Sequence, residues 1–341
     1  MTQDCSYDSL VLAGTDKETS MKILIVGGAG YLGGAVTDIL LKQKKHEFRV
    51  YDALLYEPSY LKAVDFVYGD IRDHKKLLPH LKWADVVIWL AALVGDAACA
   101  VNPDITIEIN NDAVGWLARN FSKRIIFTST CSVYGAMDGI LDENSKTNPL
   151  SIYAVTKLAA EKKLCGKNAM VFRLGTLFGL SDEFSRIRLD LVVNTLTVKA
   201  HTLGKLTVFG GEQYRPILHV CDAAKAIVDN VATKHTGIYN IHHENVQIVD
   251  LAEEVKKQFK NLKVEKVEMK FEDSRNYRVS SDKAKKAFHF SPKLFAKDGI
   301  SELKKLLSEN RIKDLDNPLY TNDAYLSKFG THREYPERKW I

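Results

Sequence analysis

Short apolar runs alternate with longer amphipathic stretches along the first 240 residues of the chain. Four to seven apolar residues between polar or glycine-rich turns are typical of strands buried on both faces. Strands that alternate with helices predict an α/β fold with a doubly wound parallel sheet. The predicted strands are Ile23–Val26, Phe48–Tyr51, Asp65–Ile71, Asp85–Ala92, Arg124–Thr130 and Ala169–Leu174, and the predicted helices are Leu32–Gln43, Asn102–Phe121 and Ser151–Cys165.

A glycine-rich turn follows the first predicted strand. Its spacing is Gly28-x-Gly30-x-x-Gly33, and the same segment also contains Gly27-x-x-Gly30-x-x-Gly33. Such glycines allow a tight turn and the close approach of backbone N–H groups to a pyrophosphate, while the next helix directs its positive end at the phosphates. The turn therefore predicts a dinucleotide site in a Rossmann-like domain.

A carboxylate follows the second predicted strand. Asp52 comes nineteen residues after Gly33, where a carboxylate would accept both hydroxyls of the adenosine ribose and repel a 2′-phosphate. This position favours NAD over NADP. The alternative is that Asp52 only caps a turn.

The regular alternation ends after Gly179. It predicts a dinucleotide-binding domain over residues 21–179, to which a segment of about 217–241 returns. Residues 180–216 and 242–330 are predicted to form a smaller α/β lobe. Residues 1–20 lack the basic start and long apolar core of a secretory signal, and we expect them to be a disordered extension or the product of an upstream start.

Composition narrows the class of protein. The 48 basic and 43 acidic residues give a net charge of +5 without a basic block, so no nucleic-acid partner is expected. No stretch approaches the ~20 consecutive apolar residues of a membrane span, so no membrane partner is expected. The five cysteines are scattered, which predicts neither a disulfide framework nor a metal site. These features fit a cytoplasmic enzyme.

Tyr153 and Lys157 form the candidate catalytic pair. Their spacing places phenol and ammonium on one face of a helix, about 5–6 Å apart at Cβ. A free tyrosine titrates near pH ~10, and the charge of Lys157 together with an oxidised nicotinamide would favour the phenolate. The pair therefore predicts a tyrosine that acts as a general base. Taken alone, it could also be a solvated helix face.

The ordered motifs between Lys22 and Leu306 resemble those of the extended short-chain dehydrogenase/reductases that act on nucleotide sugars. The matching residues are the glycine turn, Asp52, Gly69-Asp70-Ile71, Ala91-Ala92-Leu93, Thr128-Ser129-Thr130, Val133-Tyr134-Gly135, Tyr153-x-x-x-Lys157, Arg173, Phe178-Gly179, Asn194 and Arg215-Pro-Ile-Leu-His219-Val-x-Asp222. The resemblance implies an NAD-dependent enzyme with a nucleotide-diphosphate sugar as substrate. It also implies that the C-terminal lobe binds this substrate.

The resemblance implies a role for each site residue. Tyr153 would take the proton from a sugar hydroxyl while hydride leaves for NAD, Lys157 would hold the nicotinamide ribose, and Thr130 would bond the same sugar oxygen. Besides Tyr153 and Lys157, the residues implied to contact the cofactor are Gly27, Gly30, Tyr31, Leu32, Gly33, Asp52, Asp70, Ile71, Ala91, Ala92 and Leu93. Those implied to contact the substrate are Thr130, Ser132, Thr176, Asn194, Arg215 and Arg275, with Asn194, Arg215 and Arg275 near its diphosphate.

Departures from the family pattern narrow the reaction. Cys131 and Ser132 stand where the 4,6-dehydratases have Asp-Glu, and neither can replace the carboxylic acid that donates a proton during dehydration. The 3,5-epimerising relatives have their acid/base cysteine at the position of Ser132, so Cys131 is predicted to be a buried packing residue. Thr176 stands where many 4-epimerases have an asparagine. Pro216-Ile217 replaces the usual Asp-Tyr after the phosphate-binding arginine.

The remaining reactions begin with oxidation at C4 of the sugar. The sequence favours a 4-dehydrogenase that releases a ketosugar, and the alternative is a 4-epimerase that returns the hydride to the opposite face. A 4,6-dehydratase and a non-catalytic NAD-binding regulator are less favoured.

The family usually dimerises through two long helices, so we expect a homodimer. Apolar residues at helical spacing on the two predicted helices are compatible with this, although they could equally be ordinary core faces. These residues are Val114, Leu117, Phe121, Val155, Leu158 and Ala159.

Overall fold

A parallel sheet lies at the centre of the structure, a computed structural model that describes residues 20–57, 59–268 and 275–331. The strands are β1 Lys22–Val26, β2 Glu47–Asp52, β3 Asp65–Tyr68, β4 Val86–Trp89, β5 Arg124–Thr130, β6 Ala136–Leu141, β7 Ala169–Leu174, β8 Thr176–Phe178, β9 Lys205–Phe209, β10 Tyr214–His219, β11 Gly237–Ile241, β12 Glu244–Gln247, β13 Lys263–Val267 and β14 Asn276–Val279. The helices are α1 Tyr31–Gln43, α2 His74–Trp83, α3 Asp96–Ala100, α4 Pro103–Ile107, α5 Ala113–Asn120, α6 Ile152–Leu164, α7 Val192–Leu203, α8 Val220–Asp229, α9 Ile248–Gln258, α10 Asp282–Phe288, α11 Ala296–Ser308 and α12 Asn322–Phe329. The extension predicted for residues 1–20 falls outside the described residues except for Ser20.

The central sheet has seven parallel strands in the order β11-β7-β5-β4-β1-β2-β3. Every residue of β4, β5 and β7 is buried, as expected of strands covered by helices on both faces. Strands β2 and β3 follow β1 on one side, and β4 begins the series on its other side. The boundary between β1 and β4 is therefore the topological switch point, where ligands of open α/β sheets bind. The predicted doubly wound α/β fold is confirmed.

The predicted strand bounds agree with the structure where apolar runs are uninterrupted. Strands β5 and β7 have the predicted ends, whereas the strands predicted over 65–71 and 85–92 end at Tyr68 and Trp89. The N–H groups of both Leu90 and Ala91 donate to the carbonyl of Val26, at 2.8 and 2.9 Å. Because two consecutive N–H groups share one acceptor, the regular pairing of β4 with β1 ends here.

The helix predicted over 102–121 is interrupted. One turn of π-helix, Glu108–Asp112, lies between α4 and α5. A π-turn inserts an extra residue into a helix and is common near functional sites. Here it contains Asn110, which is 1% exposed and hydrogen-bonded to the backbone of Leu93.

Three small sheets accompany the central one. Strands β12, β10 and β8 form a three-stranded sheet, β13 pairs with β9, and β14 pairs with β6. Of the segment predicted to return to the main sheet, β11 lies beside β7, but residues 217–219 belong to β10 in the small sheet. This part differs from the prediction because β10 pairs with β8, which directly follows β7. The division into two lobes stays a prediction.

The two helices expected at a dimer interface differ in exposure. Val114 and Leu117 are fully buried, and Phe121 is 6% exposed, so these residues belong to the core under the sheet. On α6, Val155 is 45% exposed. The structure therefore leaves α6, and not these α5 residues, as the source of exposed apolar surface for the predicted dimer.

Candidate active site

A deep cleft runs along the carboxyl ends of the central strands. Its volume is about 1390 Å³, which exceeds the range of roughly 300–1,000 Å³ common for single small-molecule pockets. All the site residues predicted from the sequence line this cleft, with the exception of Asn194. The cleft is therefore large enough for a dinucleotide together with a second ligand.

The glycine turn packs too closely for side chains. Gly27 has a φ of +87°, and a Cβ atom there would lie 2.4 Å from the backbone N of Ala91. A Cβ atom on Gly33 would lie 2.5 Å from the carbonyl oxygen of Gly28. Helix α1 then begins without a side-chain cap or an acidic residue in its first turn. Its first N–H groups remain available at the cleft, which is what a pyrophosphate requires.

Asp52 lies at the cleft and also holds the neighbouring backbone. Its carboxylate accepts hydrogen bonds from the N–H groups of Ala29 at 3.0 Å and Leu54 at 2.7 Å. Burial raises the pKa of Asp52, and these backbone bonds oppose that effect. The turn-capping interpretation and the ribose-binding interpretation are thus compatible in one residue, because a carboxylate has about four acceptor sites.

Two of the residues predicted to contact the cofactor, Asp70 and Leu93, are held by other side chains. Arg72 forms an ion pair with Asp70, with 2.7 Å between Nη2 and Oδ2. Asn110 accepts from the N–H of Leu93 at 2.8 Å and donates to its carbonyl at 2.9 Å. Sequence reasoning missed both partners, although an asparagine within an apolar helix was a usable signal.

Tyr153, Lys157 and Thr130 meet in the cleft where α6 passes the end of β5. Ser151 caps α6 by accepting from the N–H of Ala154 at 3.2 Å, so the first turn of the helix presents Tyr153. Lys157 follows one turn later and is 3% exposed, with its ammonium 4.5 Å from the ring centre of Phe127. The three side chains predicted to act in catalysis therefore lie together in the fold.

Burial dominates the electrostatics of this pair. It raises the pKa of Tyr153, with added contributions from Cys99 and Asp96, while a hydrogen bond with Thr130 and the charge of Arg188 lower it. Burial also lowers the pKa of Lys157 to about 8. In the protein without its cofactor, burial thus outweighs the groups that favour the phenolate of Tyr153. The lowered pKa expected with Lys157 and an oxidised nicotinamide together stays a prediction.

A buried ion pair anchors α6 to the sheet. Arg173 of β7 donates to Glu161 from Nε at 3.0 Å and from Nη2 at 2.7 Å. Ser129 also donates to this carboxylate, and Tyr134 accepts from Arg173 at 2.9 Å. Glu161 is four residues after Lys157, so this network fixes the helix face that carries the catalytic pair.

The two residues after Thr130 have different surroundings. Cys131 is fully buried and its thiol donates to the carbonyl of Arg173 at 3.2 Å, in agreement with its predicted packing role. Ser132 lines the cleft, and its hydroxyl lies 3.3 Å from the hydroxyl of Tyr277. Tyr277 comes from β14 and was not predicted, because nothing in the sequence places that strand beside the catalytic edge.

The other end of the cleft carries arginines and one carboxylate. Arg215 is 5% exposed and donates to the carbonyl groups of Tyr214 and Arg275. Arg275 forms an ion pair with Asp96 at 2.8 Å, and Asp96 also accepts from Ser151 at 2.7 Å. This arrangement connects the arginines to the cap of the catalytic helix.

Asn194 does not reach the cleft. It is 1% exposed, and its amide accepts from the N–H of Gly179 at 3.0 Å and donates to the carbonyl of Arg188 at 2.7 Å. The substrate contact expected from the resemblance is therefore not formed by this placement. The side chain instead fixes the segment between β8 and α7.

Several cleft residues escaped the sequence analysis. They belong to the segment before α7 and to the C-terminal helix, and they are Arg186, Arg188, Asp190, Asn322 and Asp323. Within the described ranges, no cluster of three or more His, Cys, Asp or Glu side chains could hold a metal ion. In the same part of the chain, no helix has the length and apolarity needed to cross a membrane.

The fold and the cleft define a dinucleotide-dependent oxidoreductase of the α/β class. Residues 23–241 match the model of the NAD dependent epimerase/dehydratase family, and the chain belongs to this family. The protein is an enzyme and its cofactor is NAD.

The chain is similar to a curated relative and, in its fold, to solved structures. An "Uncharacterized UDP-glucose epimerase YtcB" of Bacillus subtilis is 30% identical over 325 residues, which cover 82% of this chain and 96% of the relative. The solved structure of DesIV, a dTDP-glucose 4,6-dehydratase from Streptomyces venezuelae with NAD bound, has a TM-score of 0.75 at 24% identity and covers 88% of this chain and 100% of that one. A UDP-glucuronic acid 4-epimerase from Bacillus cereus has a TM-score of 0.73 at 24% identity and covers 85% and 99%.

Proposed function

We propose that the protein oxidises C4 of a nucleotide-activated sugar and is a 4-dehydrogenase. The observation that carries this proposal is the convergence of Thr130, Tyr153 and Lys157 in a cleft without a carboxylic acid at the two positions after Thr130. Cys131 is buried under the site, and Ser132 is bonded to Tyr277. The site thus has the groups for alcohol oxidation and lacks the dehydratase pair.

Each catalytic side chain has a task that follows from its position. Tyr153 takes the proton from the sugar hydroxyl, and the hydroxyl of Thr130 bonds the same oxygen and orients it. The buried ammonium of Lys157 binds the hydroxyls of the nicotinamide ribose. Bound NAD supplies the hydride acceptor and, in its oxidised form, a positive charge that favours the phenolate of Tyr153.

The arginine end of the cleft is suited to the diphosphate of the substrate. A guanidinium donates two parallel hydrogen bonds to phosphate oxygens, and Arg215 and Arg275 both line the cleft. The ion pair between Arg275 and Asp96 places a carboxylate beside the catalytic helix, where it can accept from sugar hydroxyls. We also infer a homodimer in the cytoplasm, with α6 at the interface.

A 4-epimerase is the second candidate. The 30% identity to a protein described as a UDP-glucose epimerase favours it, and the same catalytic residues serve both reactions. In an epimerase the ketosugar stays bound and receives the hydride on its other face. Thr176, in place of the asparagine of many 4-epimerases, favours the dehydrogenase.

The experiment that tests the proposal uses the purified protein with a panel of UDP-, GDP-, dTDP- and CDP-sugars. We expect the correct nucleotide sugar to give one stoichiometric burst of absorbance at ~340 nm, with turnover only when an oxidant or excess NAD is added. Multiple turnovers to a C4-inverted sugar without added NAD or oxidant would show that the protein is an epimerase. No reduction of NAD with any sugar would remove both readings.

A further inference from the structure

The segment between β8 and α7 runs along the cleft and is fixed at both ends. We call residues 181–190 the strap. At its start, Ser181 donates to the backbone carbonyl of Tyr31 in the glycine turn at 2.5 Å. In its middle, the N–H of Arg186 donates to Glu57 at 2.6 Å. At its end, Asp190 accepts from the N–H of Asn322 at 3.0 Å.

The two arginines of the strap are in different states. Arg188 forms two hydrogen bonds to the carboxylate of Asp190, at 2.6 and 2.9 Å, so its charge is paired. Arg186 has only neutral acceptors, the carbonyl of Leu319 at 2.6 Å and the amide oxygen of Asn322. Throughout the described residues no carboxylate lies within ion-pair distance of Arg186.

Arg186 is therefore a cation with donors to spare. Its guanidinium carbon lies over the ring of Tyr56, 4.0 Å from the ring centre, and this contact orients the guanidinium group. Among the described residues, two of the five N–H donors of this guanidinium are used, which leaves three. Burial, together with the charge of Arg188, lowers the pKa of Arg186 to about 10. The nearby charges of Asp190 and Glu57 oppose this shift, but neither carboxylate contacts the guanidinium. A partly buried guanidinium that no described carboxylate contacts, on the wall of a cleft, is the arrangement expected of an anion site.

We propose that Arg186 binds a phosphate group of a ligand in the cleft, and that this ligand is the dinucleotide. Both NAD and a nucleotide sugar carry a diphosphate. The dinucleotide is favoured because the strap is hydrogen-bonded to two segments that line its predicted site. Tyr31 belongs to the glycine turn, and Glu57 follows Asp52 by five residues in the loop after β2. By binding this phosphate, Arg186 helps to keep the cofactor bound during catalysis.

The test compares Arg186→Met with wild type in binding experiments that contain no sugar. The affinities for NAD and for ADP-ribose should fall by about 10- to 100-fold, which is the usual effect of losing a charge-assisted hydrogen bond. The affinity for adenosine, which has no phosphate, should not change. Arg186→Lys keeps the charge and should restore part of the loss. Arg119→Met, on the exposed face of α5, is the matched control and should bind like wild type.

The outcomes separate the two sources of phosphate from a structural effect. If Arg186→Met weakens UDP binding alone, Arg186 binds a phosphate, but that of the substrate, and the assignment to the dinucleotide is overturned. Equal loss for adenosine and ADP-ribose would overturn the proposal, since it would reveal a distorted site. Unchanged binding of NAD, ADP-ribose and UDP would also overturn it. Because no sugar is present, these results are independent of the proposed C4 oxidation.

Discussion

Replacing Lys157 with methionine tests whether the buried ammonium of this lysine lowers the folding stability of the protein. Lys157 is 3% exposed, and its ammonium contacts the ring of Phe127. In the described part of the chain no hydrogen bond to this ammonium is formed. Burial lowers the pKa of Lys157 from its usual 10.5 to about 8. The charged form is thus less stable in the folded protein than in the unfolded chain.

The magnitude follows from that difference in pKa. Lowering the value from 10.5 to about 8 corresponds to roughly 3 kcal/mol of unfavourable free energy at neutral pH. Methionine fills a similar volume without charge, but it loses a cation–π contact worth about 0.5–2 kcal/mol. We therefore expect Lys157→Met to raise the free energy of unfolding of the NAD-free protein by about 1–3 kcal/mol near pH ~7.

The sign of the pH dependence provides the control. Between pH 8 and 10.5 the unfolded wild-type chain binds more protons at this site than the folded protein, so its stability rises with pH across that window. The advantage of the variant should therefore shrink as the pH approaches ~10. Urea unfolding of NAD-free protein measures this, with Lys162→Met on the exposed side of α6 as the matched variant. A variant less stable than wild type near pH ~7 would refute the reasoning, as would unchanged affinity for NAD.

Four further predictions address other parts of the site and the assembly. Tyr153→Phe should retain NAD while hydride transfer falls by about 10²–10⁴-fold, and near wild-type burst kinetics at 340 nm would contradict its role as base. Wild type should prefer NAD strongly over NADP, and Asp52→Ala should narrow this preference in competition binding; equal wild-type affinities would be inconsistent with the ribose contact. Arg173→Met leaves Glu161 buried without its partner and should cost about 3–5 kcal/mol in urea unfolding, so a loss under about 1 kcal/mol would argue against the anchoring network. Light scattering at micromolar concentration should give a dimer mass, and a monomer would exclude the inferred assembly.

Strands and turns that depend on local sequence were predictable. Strands β5 and β7 have their predicted bounds because each is buried on both faces, which requires an uninterrupted apolar run. The glycine turn was predictable for a similar reason. Only glycine fits where a Cβ atom would meet the backbone of Ala91 at 2.4 Å. In both cases the structure depends on residues that are consecutive in the sequence.

Contacts between distant segments were not predictable. The backbone N–H of Asn322 donates to the carboxylate of Asp190, and its side-chain amide donates to the carbonyl of Val94 at 2.7 Å. These partners are 132 and 228 residues away, and in the sequence an asparagine at the start of a helix is more typical of a cap. Asn194 was misplaced for the opposite reason. Its match to the family motif indicated a ligand contact, but the backbone of Gly179 and Arg188 uses its amide.

The burial of Tyr153 and Lys157 indicates what these two residues require from a ligand in the cleft. The sequence shows a lysine one turn from the tyrosine, and in water a nearby positive charge lowers the pKa of a phenol. In the fold, burial acts on both groups and opposes the charged form of each. Lys157 and Arg186 thus remain as cations without carboxylate partners on the described walls of one cleft. In the proposed binding mode, the hydroxyls and phosphates of NAD would be the acceptors for these two cations, so cofactor binding should both stabilise the fold and favour the phenolate of Tyr153. A cofactor bound in this way is expected to remain with the protein during purification.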